Sequence, residues 1–147
     1  SGGVLIADFH NHRVVRWEEG ATRGEVIAGG NGCGSGPHQL RSPSSMALDQ
    51  EGSLLIADSR NNRIVRWQPG SSMGQVVAGE GSPEFPEQLN LPEGIAVDLS
   101  GTFFIADTRN HRIVRYAPGD ADAEPCAGGA GRGSGFGQLD WPTRVAV

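Results

Sequence analysis

Short runs rich in apolar residues, separated by turn-forming residues, recur along the whole chain. In the middle of the sequence they occupy residues 46–49, 54–57, 63–67 and 75–78. The intervening segments are rich in Gly, Pro, Asn, Asp and Ser, which accept the backbone geometry of turns. Runs of this length with such boundaries predict four short β-strands joined by hairpin connections, and therefore a four-stranded antiparallel meander.

Several of these runs are apolar at consecutive positions instead of alternating apolar with polar residues. One of them consists of Val4, Leu5, Ile6 and Ala7. A strand with this composition is typically buried on both faces of its sheet. The pattern therefore predicts that each meander is stacked between two others of the same kind.

The whole pattern occurs three times. Ile6-Ala7-Asp8 recurs as Ile56-Ala57-Asp58 and as Ile105-Ala106-Asp107, which sets a period of about 49 residues. The following motif recurs with the same offsets, as Asn11-His12-Arg13-Val14, Asn61-Asn62-Arg63-Ile64 and Asn110-His111-Arg112-Ile113. The chain is therefore a repeat protein and is expected to form a single domain.

Four-stranded meanders of this length that are covered on both faces assemble radially as the blades of a β-propeller. The motifs quoted above resemble those of the NHL repeat family, which has an inner strand like residues 92–98, a second strand ending in Ala-Asp, and Asn-His-Arg at the entry to the third strand. The resemblance covers essentially the whole chain as three NHL repeats. It implies an all-β propeller of four-stranded antiparallel blades, and is much less specific for function.

The repeats are out of phase with the chain. Residues 1–29 match the second to fourth strands of a blade, residues 43–79 and 92–128 match complete blades, and residues 144–147 match a first strand. This makes three blades' worth of strands, whereas propellers typically have four to eight blades. The resemblance implies six blades, and two-fold dimers are the commonest oligomers. We therefore expect a homodimer in which two chains form one six-bladed ring.

In this hypothesis the last strand of each chain completes the first blade of the other chain. Ring closure then depends on the following residues: Val4, Leu5, Ile6, Arg144, Val145, Ala146 and Val147. The alternatives are a fragment of a longer NHL protein, a larger ring, and an engineered or ancestral-like propeller fragment without a ligand.

Residues present in all three copies are expected to serve the blade and not a ligand. Asp8, Asp58 and Asp107 are each followed five residues later by an arginine. We interpret these aspartates as structural residues that cap the adjacent turn and pair with the arginine. Trp17, Trp67 and Tyr116, at another equivalent position, are interpreted as packing residues.

Positions that differ between the copies are candidates for a ligand face. In a propeller the loops between the second and third strands share one face with the linkers between blades. The candidates on this face are His10, His12, Arg41, Arg60, Arg109, His111, Arg132 and Trp141. A protein, a peptide or single-stranded RNA could dock there, although an ordinary solvated rim explains the same pattern.

Composition restricts the function further. The formal net charge of −5 argues against a protein that coats nucleic acid, and no apolar run approaches the length of a membrane span. The sequence has no catalytic motif and no set of inner-strand metal ligands, so we expect neither an enzyme nor a cofactor or metal. Cys126 replaces Ile27 and Val77 of the other copies and is expected to be a buried free thiol, while Cys33 lies in a linker.

Overall fold

The computed structural model describes residues 2–81, 88–118, 120 and 123–147. Regular secondary structure in these ranges consists of β-strands and single turns of 3-10 helix. In chain order the strands are β1 (Val4–Asp8), β2 (Arg13–Trp17), β3 (Glu25–Gly29), β4 (Pro43–Leu48), β5 (Leu54–Asp58), β6 (Arg63–Trp67), β7 (Gln75–Gly79), β8 (Pro92–Val97), β9 (Phe103–Asp107), β10 (Arg112–Tyr116) and β11 (Glu124–Gly128).

The strands form three antiparallel sheets in which neighbours along the chain are also neighbours in the sheet. The first sheet contains β1 to β3, the second β4 to β7 and the third β8 to β11. The predicted all-β fold of antiparallel meanders is confirmed. We refer to the three sheets as the first, second and third blades.

A turn of 3-10 helix connects the second and third strands of each blade. These turns are Phe9–Asn11, Ser59–Asn61 and Thr108–Asn110. Each is followed by a residue in the left-handed region, namely His12, Asn62 or His111, with φ of 53°, 52° and 52°. Asn and His are among the residues that tolerate this conformation best, which explains their presence at this position in all three copies.

The outer strand of each blade contains a β-bulge. In the second blade Ile64 pairs with Ala78 and Val65 with Val76, so that Val77 is left unpaired. Ile27 and Cys126 are the bulge residues of the first and third blades. The extra residue increases the local twist of the outer strand.

Two apolar clusters hold the blades together. One joins the first blade to the second and includes Val14, Ala28, Leu40, Leu54, Ile56, Val65 and Trp67. The other joins the second blade to the third and includes Leu55, Ala57, Ile64, Val77, Ile105, Val114 and Tyr116. Full burial of each large apolar side chain contributes about 1.5–3 kcal/mol, so these clusters are the main source of cohesion between the blades.

Burial on both faces is found where a blade has two neighbours. Every residue of β5 is buried. In β1, by contrast, Val4 is 59% exposed and Ile6 is 41% exposed. The prediction of double-sided burial is therefore correct for the second blade and wrong for the first blade, one face of which is uncovered by the described residues.

The prediction of a buried thiol at Cys126 is wrong, because this residue is exposed. Val77, at the matching position, is buried against the third blade. The corresponding face of the third blade has no neighbour in the part of the chain that the structure describes. Cys126 is exposed for this reason and not because its strand differs.

Residues 144–147, predicted to be an inner strand, pair with no strand among the described residues. The chain just before and within this segment passes close to β8. A Cβ atom added to Gly94 would lie 2.7 Å from the Thr143 carbonyl oxygen and 2.9 Å from the Arg144 Cα. The segment is thus stacked beside the inner strand of the third blade.

Candidate functional site

An Asp–Asn–Arg triad lies at the entry to the third strand of every blade. In the second blade, Arg63 Nε donates to Asp58 Oδ2 at 2.8 Å, and Asn61 Nδ2 donates to the same oxygen at 2.8 Å. Asp58 is fully buried. Repetition in all blades and the short local distances support a structural role for the triad.

The triad of the second blade binds the linker that arrives from the first blade. The Arg41 backbone N–H donates to Asp58 Oδ1 at 2.6 Å. Asn61 and Arg63 donate to backbone carbonyl oxygens of the linker, namely those of Gly34, Ser35, Gly36 and Gln39, at 2.8, 2.8, 3.5 and 3.2 Å. The predicted pairing of Asp58 with arginine is confirmed. The predicted cap is wrong, since the carboxylate makes no hydrogen bond to the backbone of its own turn.

The triad of the first blade has a similar internal geometry but a different environment. Arg13 Nε donates to Asp8 Oδ2 at 2.7 Å. The Asp8 and Arg13 side chains are 26% and 39% exposed, compared with 0% and 9% for Asp58 and Arg63. Hydrogen bonds from Arg13 and Asn11 hold the pKa of Asp8 below its ordinary value, whereas burial raises the pKa of Asp58.

The predicted ligand residues His12 and His111 anchor linkers. His12 Nδ1 accepts a hydrogen bond from the Ser42 N–H at 3.0 Å, and His111 Nδ1 accepts one from the Trp141 N–H at 3.1 Å. Asn62 does the same for Leu91 in the second blade. An imidazole nitrogen engaged in this way is not available to a ligand.

The other candidates of the loop face lie in two clusters of arginine and aromatic side chains. The Arg60 guanidinium is 5.8 Å from the centroid of the Phe9 ring, whose other neighbour is His10. The Arg109 guanidinium is 5.8 Å from the centroid of the Trp141 ring. Sequence reasoning did not include Phe9, although its equivalents in the other blades are Ser59 and Thr108 and this variation between copies is the signal that could have found it.

The two remaining candidates are linker arginines. Arg41 is exposed, and its backbone is bound by the second-blade triad. Arg132 Nε donates to Asp140 Oδ1 at 2.7 Å, so its charge is compensated. Among the described residues no three His, Cys, Asp or Glu side chains are arranged to hold a metal ion.

Two apolar end faces are open in the described structure. We define the leading face as Val4, Ile6, Trp17 and Val26 of the first blade, which are 39–59% exposed. We define the trailing face as Phe104, Cys126 and Ala127 of the third blade, of which Phe104 is partly buried and the other two are exposed. These residues match positions that the next blade covers elsewhere in the chain. The leading and trailing faces thus correspond to the two sides of a normal contact between blades.

The C-terminal segment is oriented as the inner strand of a further blade. Ser59 Oγ donates to the Pro92 carbonyl oxygen at 2.6 Å where the third blade begins. Thr108 Oγ1 donates to the Pro142 carbonyl oxygen at 2.7 Å in the same way. A groove of about 570 Å³ lies beside β1, lined by that strand, by β4 and by Arg144. The inner side of β1 has no strand partner among the described residues.

Comparison with known proteins agrees with this geometry. The family model of the NHL repeat matches residues 40–67 and 89–116. None of the curated proteins matches the chain. No helix in the described ranges has the length and apolar character needed to cross a membrane.

Several solved structures share the fold. A protein of unknown function from Bacteroides thetaiotaomicron superposes with a TM-score of 0.76 at 15% identity, covering 99% of this chain and 39% of the other. A streptogramin B lyase superposes with a TM-score of 0.67 at 13% identity, covering 99% and 41%. A putative gluconolactonase gives 0.60 at 18% identity, covering 84% and 44%. The chain thus spans less than half the length of each of these proteins.

Proposed function

Because this chain contains NHL repeats, we propose that it is a non-catalytic β-propeller scaffold that assembles with a second copy into a six-bladed ring. The observation that carries the proposal is the pair of open ends. Within the described ranges the inner side of β1 is an unpaired strand edge, and residues 142–147 enter beside the third blade as an inner strand would. In the ring, residues 144–147 of each copy occupy the groove beside β1 of the other.

The end faces provide the driving force for this assembly. The leading face exposes Val4, Ile6 and Trp17 side by side, since Val4 is the cross-strand partner of Trp17 and Ile6 lies next to this pair. Burial of such side chains contributes about 1.5–3 kcal/mol each. A contiguous apolar face of this kind is typical of an interaction surface.

A two-fold dimer brings the leading face of each copy against the trailing face of the other. Each contact joins the leading face of one copy to the trailing face of the other, which is the contact already made between consecutive blades of one chain. Two such contacts cover both open ends of both copies. Additional blades of a longer chain would cover the same faces, and a monomer with an intact fold would be the sign of that alternative.

The assembly is tested by substituting the exchanged strand. Val145→Asp together with Val147→Asp places two charges in the groove beside β1, and we expect it to abolish the dimer in sedimentation experiments. Met73→Asp is the matched control, because Met73 is 52% exposed in the hairpin between β6 and β7. An unchanged dimer in the double variant would contradict strand exchange.

A second candidate function is protein or peptide binding by the loop face. Its support is the pair of arginine–aromatic clusters, Arg60 with Phe9 and Arg109 with Trp141. Arginine and aromatic residues are enriched at binding hot spots. The net charge of −5 disfavours RNA. Binding of acidic peptides that is lost in Arg60→Ala with Arg109→Ala, and kept in Arg23→Ala, would support this function, and equal binding by all three proteins would exclude it.

A further inference from the structure

The linker between the first and second blades has a defined docking site. Residues 30–42 are held by the triad of Asp58, Asn61 and Arg63 through the backbone hydrogen bonds described above. Leu40 of this linker is fully buried in the cluster between the first two blades. The contact therefore combines hydrogen bonds between the triad and the linker backbone, which we call the latch, with burial of a leucine side chain.

The linker that follows the third blade has the same conformation. Residues 129–141 and residues 30–42 both contain Gly-Ser-Gly, then two residues that differ, then Gln-Leu. Equivalent backbone hydrogen bonds close both loops: Gly34 with Leu40 at 3.4 Å and Gly133 with Leu139 at 3.2 Å, then Gln39 with Gly36 at 3.0 Å and Gln138 with Gly135 at 3.0 Å. The linker is thus already folded in the shape that docks on a triad.

The first blade carries a triad that receives no linker in the described structure. Its Arg13 donates to Asp8 Oδ2 as Arg63 does to Asp58 Oδ2, and Asn11 donates to both carboxylate oxygens of Asp8, at 2.9 and 3.0 Å, where Asn61 donates to Oδ2 of Asp58. Both Asp8 and Arg13 are partly exposed. This triad therefore presents the same donors and acceptor as its buried counterpart, in a position where a linker can reach them.

We propose that the linker of residues 129–141 docks on the Asp8–Asn11–Arg13 triad of a second copy. By equivalence with the second blade, the Asp140 N–H donates to Asp8 Oδ1, and Asn11 donates to the Gly133 carbonyl oxygen. The Arg13 guanidinium donates to the carbonyl oxygens of Ser134 and Gln138. This latch rests on the proposed function and adds a polar contact to the strand exchange.

Under the proposed function a second copy is the occupant, because the described residues place the linker and the triad of one copy apart. The second blade lies between the first and the third, and each of the latter packs on it. The linker of residues 129–141 and the triad of the first blade are therefore at opposite ends of the array. Leu139, which is only partly buried, would enter the partner's core as Leu40 does in its own chain.

Amide hydrogen exchange tests the latch without any substitution. We expect the Asp140 amide of wild-type protein to be protected at concentrations where the dimer forms, and to exchange at least tenfold faster in the monomer. The Arg41 amide is the internal control, because it is bonded to Asp58 within one chain and is protected in both states. An Asp140 amide that exchanges equally fast in dimer and monomer would overturn the latch.

A matched pair of arginine variants tests the latch independently of whether the dimer forms. Arg13→Met should raise the dimer dissociation constant at least tenfold. Arg16→Met, on the same strand but exposed and paired with Glu18 and Glu25, should change it less than threefold. A monomeric wild-type protein refutes the proposed function, whereas a wild-type dimer with equal constants for both variants refutes only the latch.

Discussion

Asp8 and Asp58 are the same residue of the repeat in two electrostatic environments. Both accept hydrogen bonds from an arginine and an asparagine. Asp58 is also covered by a linker, and its burial disfavours the charged form. Asp8 is solvated on one side, so the hydrogen bonds dominate and its pKa is lowered. The chemistry of a repeated residue is thus set by what covers it.

This lowered pKa predicts how stability depends on pH. A carboxyl group whose pKa is lower in the folded than in the unfolded state stabilises the fold above the unfolded pKa, which is about 3.9 for Asp, and the stabilisation is lost as pH falls through the folded pKa. In monomeric protein, Asp8→Asn should therefore be less stable than wild type near neutral pH, and the difference should shrink in acid. Urea unfolding at a series of pH values measures it, and a difference that stays constant into strong acid would contradict this interpretation.

Cys126 reports directly on the trailing face. Its equivalent Val77 is covered by the next blade, so Cys126 should react with a thiol reagent in the monomer and become protected in the dimer. Cys33 lies in the linker of residues 30–42, outside the proposed contact, and should react at the same rate in both states. Labelling followed by mass spectrometry over a dilution series gives both rates. Equal labelling of Cys126 at all concentrations would show that its face stays open.

At the scale of elements, the strands were predictable and the linkers were not. The second blade was predicted at residues 54–57 and 63–67 and is observed at Leu54–Asp58 and Arg63–Trp67. Apolar runs and turn residues determine such strands locally. The partner of Asp58, by contrast, is a backbone N–H 17 residues earlier in the chain, and no local pattern reveals it.

Only some of the residues predicted for the loop face are available there to a ligand. Arg60, Arg109 and Trp141 were predicted for the loop face from their variation between copies, and the structure brings them into exposed clusters with aromatic partners. His12 and His111 met the same criterion but anchor linkers. Variation between copies does not separate these two cases, because Asn62 performs the anchoring role equally well with a different side chain.

Two linker leucines provide a prediction at this scale. Leu40 is fully buried between the first two blades, and Leu40→Ala should lower the free energy of unfolding by about 2–5 kcal/mol. Leu139 occupies the equivalent position after the third blade but is only partly buried. Leu139→Ala should therefore lower the free energy of unfolding of the monomer clearly less than Leu40→Ala does. Equal losses for the two variants, measured by urea unfolding at low protein concentration, would contradict the different burial of the two linkers.

For the described residues taken together, the essential feature is that three sheets in series leave two unlike ends. One end holds the leading face, the exposed triad of Asp8 and the edge of β1 that pairs with no described strand. The trailing face, residues 144–147 and the linker of residues 129–141 lie at the other. Each of these features at one end matches a feature at the other end. Within the chain, the equivalents of both features are already in contact between consecutive blades.

The molar mass of the wild-type protein in solution tests this account most directly. Light scattering coupled to size-exclusion chromatography, run over a range of concentrations, measures it. A six-bladed ring of two chains has twice the chain mass of 15.4 kDa at high concentration and dissociates on dilution. A folded protein that keeps the mass of a single chain at every concentration would contradict it.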